Sequence, residues 1–212
     1  MDQGEKIITQ LFEIYGLETK RFDKGEVRRG KTPDFRVFDG DKLVFICELK
    51  CAQEDEELDE ALEKAPPFTT VQMTKPGTAL INRLTSHIHK AIKQFDAVNP
   101  HLESANVLAM VNLDDIYDSN DFFHIVENYK GWIENEKYRI HLYIWMNEFK
   151  INKQVFTING SDYPFESQPQ FLFNTYDRTF FTALCTYFNI TVPVIGDKRR
   201  WWRTHLTTVL SG

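Results

Sequence analysis

The chain reads as an α/β protein, with a central mixed sheet flanked by helices and a C-terminal elaboration. Three observations predict it. Apolar residues recur at helical spacing over residues 4–16 and again over 78–98. Two runs rich in β-branched and aromatic residues, 32–38 and 43–50, flank the turn signal Asp39-Gly40-Asp41-Lys42 and predict an antiparallel hairpin. Residues 107–112 form a nearly continuous apolar run, as expected of a strand covered on both faces. At 212 residues the chain is long enough for a well-buried interior. Residues 1–150 are read as the core, and 151–212 as an elaboration packed on it rather than an independent domain.

In chain order, Ile7, Ile8, Leu11, Phe12 and Tyr15 give the first helix its apolar stripe, and Gly16 is its stop. A strand is expected over 18–22, then a polar connection over 23–31. After the hairpin, Leu58, Ala61, Leu62 and Ala65 predict a short acidic helix over 55–64, ended by Pro66-Pro67, and 67–77 is a loop. The long helix over 78–98 puts Ile81, Leu84, Ile88, Ala91, Ile92 and Phe95 on its core side. At 100° per residue, Arg83, His87, Lys90 and Gln94 fall on one narrow stripe beside that side. A helix over 121–135, a strand over 139–146 and an aromatic helix over 176–188 follow. The terminal Lys198-Arg199-Arg200-Trp201-Trp202-Arg203 interleaves cations with indoles, which suits either nucleic-acid contact or, as preferred here, docking of a terminal helix.

The formal net charge of −6 is local: seven acids between Glu54 and Glu63, against Lys64, account for all of it. Basic residues gather at Lys20-Arg21, at Arg28-Arg29 with Lys31, and near the C-terminus. Three cysteines without C-x-x-C spacing argue against a disulfide framework and for a reducing, cytoplasmic setting. No apolar run approaches the roughly 18 residues of a membrane span, and Met1-Asp2-Gln3-Gly4-Glu5 is no signal-peptide start, so no membrane partner is expected.

The hairpin carries the chemistry. With odd positions paired to odd, Phe35, Val37, Leu43, Phe45, Cys47 and Leu49 share an apolar face. Asp34, Glu48 and Lys50 gather on the other, with Phe38, Val44 and Ile46 nearer the turn. That register needs an odd-membered loop or a bulge at 39–41. Two carboxylates and a lysine on a core strand cost several kcal/mol each unless paired or bound to a metal. Hard oxygen ligands with open positions suit Mg²⁺ or Mn²⁺, and Lys50 is placed to orient a water or meet a developing negative charge.

Pro33-Asp34, thirteen intervening residues and then Glu48-Leu49-Lys50 resemble the signature of the PD-(D/E)xK, or restriction-endonuclease-like, nuclease superfamily. The first helix is similar to that superfamily's opening helix, with Glu5 as its acid and Glu13 in reserve. The likeness covers about residues 4–112. It implies a restriction-endonuclease-like core and a metal-dependent nuclease in which Asp34, Glu48 and the Leu49 carbonyl hold Mg²⁺ or Mn²⁺. Glu5 would support the metal site, and Lys50 would orient or deprotonate the attacking water. Gln94 matches a glutamine that several branches carry on the helix after the E-x-K strand, although Val98 stands where some branches have tyrosine. Arg28, Arg29 and Lys31 are candidates for holding the phosphate backbone, with a solvated loop as their alternative reading. The expected partner is nucleic acid, DNA before RNA. The alternative function is a noncatalytic nucleic-acid-binding or assembly module that keeps the fold, with Lys50 in a structural salt bridge.

Overall fold

A computed structural model of the chain describes residues 3–52, 64–66, 77–112, 119–128, 136–147, 156–158, 161–163, 169–174, 178–190 and 202–205. Helix α1 (Gln3–Ile14) buries Ile8, Leu11 and Phe12. It stops where Gly16, at φ +72°, lets the Gly16 N–H reach the Glu13 carbonyl and the Leu17 N–H reach the Phe12 carbonyl, each at 2.9 Å. That 6→1 and 5→2 pair satisfies carbonyls the helix end would otherwise orphan.

Strand β1 (Glu18–Arg21) follows, and then a second helix, α2 (Lys24–Arg29), where the sequence reading expected only a connection. Six residues are too few to display an apolar period. The signal lay in the cap: Asp23 accepts the Glu26 N–H at 2.8 Å, and Glu26 accepts the Asp23 N–H at 3.0 Å.

The order continues as β2 (Phe35–Asp39), β3 (Lys42–Ala52), α3 (Gly77–Val98), β4 (Ala105–Asn112), α4 (Ser119–Asn128), a 3-10 turn (Glu136–Arg139) and β5 (Leu142–Asn147). Then come β6 (Phe156–Ile158), β7 (Ser161–Tyr163), β8 (Gln170–Phe173), α5 (Arg178–Tyr187) and β9 (Trp202–His205). Seven strands form one mixed open sheet in the order β1-β2-β3-β4-β5-β8-β9, while β6 and β7 pair apart from it. The pairs β3/β4 and β4/β5 are parallel, and the rest of the sheet is antiparallel. Helices α1 and α5 cover one face; α3 and α4 cover the other.

Beyond residue 150 the chain extends the same sheet with β8 and β9. Phe188, just past α5, sets its ring against Phe12, Phe45 and Phe171. Residues 202–205 form a strand, not part of a terminal helix, and the expected strand at 139–146 starts only at Leu142, after the 3-10 turn. The expected acidic helix over 55–64 lies outside the described residues except for Lys64, as do Lys198 to Trp201 and the chain after His205.

The hairpin register pairs Phe35 with Cys47 and Val37 with Phe45, odd with odd. The loop holds just Gly40 and Asp41, with Gly40 at φ +58°, and the extra residue sits in a bulge on β3 opposite the Val37/Phe38 step. A bulge inside the strand reverses parity beyond it. Val44 therefore packs into the α1 face, and Leu43, opposite Phe38, is 36% exposed. The sequence reading had these two exchanged.

Candidate active site

The site begins where β2 stops short of its partner. Phe35 pairs with Cys47, so β3 runs on with no strand on that edge among the described residues, and the Leu49 N–H would be orphaned there. Asp34, just before β2, accepts it through Oδ2 at 2.8 Å. A strand residue presents its N–H and C=O to the same edge, so the Leu49 carbonyl opens on the side of Asp34.

Parity then divides β3. Cys47 and Leu49 enter the α1 face, and Glu48 and Lys50 project toward α3. The Glu48 side chain is 1% exposed, and both of its oxygens have polar partners. Lys50 Nζ pairs with Oε1, and Gln94 Nε2 donates to Oε2 at 2.9 Å. The same Gln94 amide donates to the Thr32 carbonyl at 2.8 Å. Gln94 thus ties the chain leading into Asp34 to the acid on β3, fixing the two carboxyls relative to each other.

Burial, and next the charge of Asp34, push Glu48 up to about 7, against an opposing pull from Lys50. Near neutral pH this acid is poised between its two forms, in hydrogen-bonding reach of Asp34. His87, two turns before Gln94, is driven the other way: burial first, then Lys50, Lys90 and Arg83, bring it down to about 4. Its imidazole is neutral at pH 7, and its buried Nδ1 has no hydrogen-bond partner among the described residues.

Glu5 forms an ion pair with Arg21 of β1, and its helix packs on the sheet face opposite Glu48. Arg28 and Arg29 close α2, and exposed Lys31 lies three residues before Asp34. The sequence reading missed Arg36, one strand step beyond Phe35. It grips Glu26 with two bonds, of 3.0 and 2.5 Å, and lies 3.9 Å over the Phe22 ring. The Arg36 bonds, with the Asp23 cap, bring Glu26 down to about 2. The Asp23-x-x-Glu26 cap was the available signal for α2; nothing in the spacing of Glu26 and Arg36 marked their pairing.

Among the described residues no group of three or more His, Cys, Asp and Glu side chains is placed to hold a metal ion. The donors gathered here are the Asp34 and Glu48 carboxyls and the Leu49 carbonyl. This all-oxygen set fits Mg²⁺ or Mn²⁺, because Mg²⁺ is commonly held by one or two carboxylates while keeping several of its waters. Lys50 beside it supplies a cation that can turn from Glu48 to an anionic ligand. Comparison with known proteins yields no matching family model, and no curated protein or solved structure that matches the chain.

Proposed function

We propose that this protein is a metal-dependent nuclease of restriction-endonuclease-like fold, hydrolysing phosphodiester bonds, in DNA before RNA. The observation that carries the reading is the half-buried Asp34 carboxyl, just before β2, in hydrogen-bonding reach of the buried Glu48, which Lys50 and Gln94 brace. Asp34, Glu48 and the Leu49 carbonyl would hold Mg²⁺ or Mn²⁺. Bound there, the ion supplies charge neutralisation at the phosphoryl oxygens and acidifies a water.

The chain's own groups do the rest. Lys50 would meet the scissile phosphate with its ammonium and orient the attacking water at Nζ, its pairing with Glu48 being weaker where that carboxylate also served a cation. Gln94 keeps Glu48 in one rotamer and holds the Thr32 carbonyl, so Asp34 does not drift when substrate enters. Water is the nucleophile, and no covalent intermediate is implied. This reading leaves Glu5 with Arg21.

A second reading is favoured by the direct Lys50–Glu48 ion pair: a noncatalytic nucleic-acid-binding or assembly module with that pair as a structural bridge. Incubation with supercoiled, linear and single-stranded DNA and with RNA, in Mg²⁺ or in EDTA, tests the nuclease. Calorimetric titration with Mn²⁺ separates the two readings. Mg²⁺-dependent cleavage lost in Asp34→Asn supports the enzyme; no cleavage together with no Mn²⁺ heat would refute it.

A further inference from the structure

We propose that Arg83, His87 and Lys90 on α3 form the track that holds the phosphates of a polynucleotide strand beside the Asp34–Glu48 centre. This rests on the nuclease reading for the location of the reacting phosphate, but the track itself is carried by the geometry of α3.

Gln94 fixes the azimuth of the helix. Its amide touches Glu48, so the residues sharing its stripe, Lys90, His87 and Arg83, run along the same flank of the site. Lys50 lies close enough to His87 to act on its charge, so going back along α3 from Gln94 follows β3 from Glu48 toward Lys50. Arg83 therefore lies beyond Lys50, toward the carboxyl ends of β3 and β4. That end of a parallel strand pair is where open α/β sheets present their binding crevices.

The surface chemistry of α3 fits an anion and contrasts with the acidic chain. The helix carries Arg83, Lys90 and Lys93 against one acid, Asp96, and Asp96 is taken by Arg139. Arg83 and Lys90 are exposed, and among the described residues neither pairs with a carboxylate. Between them the neutral imidazole of His87 offers a hydrogen-bonding group without adding to the repulsion. From Gln94 to Arg83 the helix rises about 16 Å at ~1.5 Å per residue. That equals roughly five nucleotide steps at about 3.4 Å each. A compact anion such as one phosphate cannot use a line of that length, whereas a polynucleotide can.

The test uses the full chain with Arg83 and Lys90 both replaced by Gln, and Lys93→Gln as a control on the same helix but off the stripe. Binding of labelled twelve-nucleotide DNA and RNA strands is followed by anisotropy in EDTA from 50 to 200 mM salt, and cleavage kinetics are measured in Mg²⁺. The double variant is expected to bind at least tenfold more weakly, and its slope of log affinity against log salt to shrink by roughly 1.5, at about 0.7 to 0.9 for each phosphate that is no longer neutralised. KM should rise with kcat held, since such interactions serve ground and transition states alike. Lys93→Gln should match the wild type. Equal binding and slope in wild type and double variant, equal losses in Lys93→Gln, or no binding by the wild type would each overturn the track. A wild type that binds with the expected slope difference but never cleaves would leave the track standing and remove the nuclease.

Discussion

Glu48→Gln is the most informative substitution, because the fold holds this acid near 7 when an ordinary glutamate titrates near 4.5. Below about 4.5 the group is protonated in both folded and unfolded chains, and no penalty acts. Between about 4.5 and 7 the unfolded chain ionises while the native state keeps its proton, so stability falls as pH rises. Above about 7 the penalty is complete. At roughly 1.4 kcal/mol per pH unit, the gap between the two values corresponds to about 3 kcal/mol. With its side chain 1% exposed, little of this is lost to solvent screening. Glutamine imitates the protonated acid, with an amide N–H for Asp34 and an oxygen for Gln94 or Lys50. Denaturant unfolding in EDTA should therefore show wild-type stability declining between pH 5 and pH 8. The variant should decline less and be the more stable of the two at pH 8, by up to about 3 kcal/mol. Mg²⁺ should restore the wild type at pH 8, leave the variant unmoved, and find the variant inactive. A variant less stable than wild type at pH 8 in EDTA would show that Glu48 is held by a favourable structural bridge, and the argument for a metal would fall.

Lys50→Met keeps the apolar stem and removes the charge; it should fold, still bind Mn²⁺, and lose cleavage by on the order of 3 kcal/mol, about a hundredfold in kcat. Turnover near wild type would remove Lys50 from the mechanism. Asp23→Ala deletes the cap of α2 and should cost about 1 kcal/mol in denaturant unfolding; a neutral result would mean that the Glu26–Arg36 pair alone holds the helix. Phe188→Ala empties a fully buried position shared by rings from α1, β3 and β8, and should cost about 3 to 5 kcal/mol in one cooperative transition. A separate early transition would show that the part of the chain beyond residue 150 unfolds on its own.

The face of Glu48 and Lys50 was legible because a strand's period of two is written directly in its residues. The same rule misplaced Leu43 and Val44, since the register demanded an extra residue without saying where. The tight Gly40-Asp41 loop left the interior of β3 as its seat, and Val44 as well as Leu43 suits either face by composition. Gln94 was legible as a member of a stripe, but its two bonds, to Thr32 and Glu48, join positions 62 and 46 residues apart, and no spacing rule reaches that far. The placing of Glu5 was illegible for a related reason. Its distance from the stripe of Ile8, Leu11 and Phe12 is readable, but the choice of sheet face is not. That choice follows from which strand residues the stripe must bury, and these are Phe45, Cys47 and Leu49, opposite to Glu48.

Two acid–base pairs in this fold make the case that the site is more than a salt bridge. Glu26, with two bonds from Arg36 and the backbone bond of the Asp23 cap, is held down to about 2, which is what ion pairing and hydrogen bonding do to a carboxyl with little burial against them. Glu48 is also directly paired, with Lys50, yet it is held up to about 7, because burial and the neighbouring Asp34 outweigh the lysine. The difference is the second acid, half-buried Asp34, set against the first where β3 extends past its pairing with β2. The contribution of Asp34 is separable. In Asp34→Asn the side-chain oxygen still accepts the Leu49 N–H, so the strand end keeps its bond while the charge disappears. Carbon-13 titration of the Glu48 carboxyl in metal-free solution should then show its midpoint falling from the wild-type value, as the repulsion goes and Lys50 remains, with thermal stability retained. An unchanged midpoint would mean that burial alone sets it. The two carboxyls would then be neighbours without coupling, and the reason for placing a divalent cation between them would be gone.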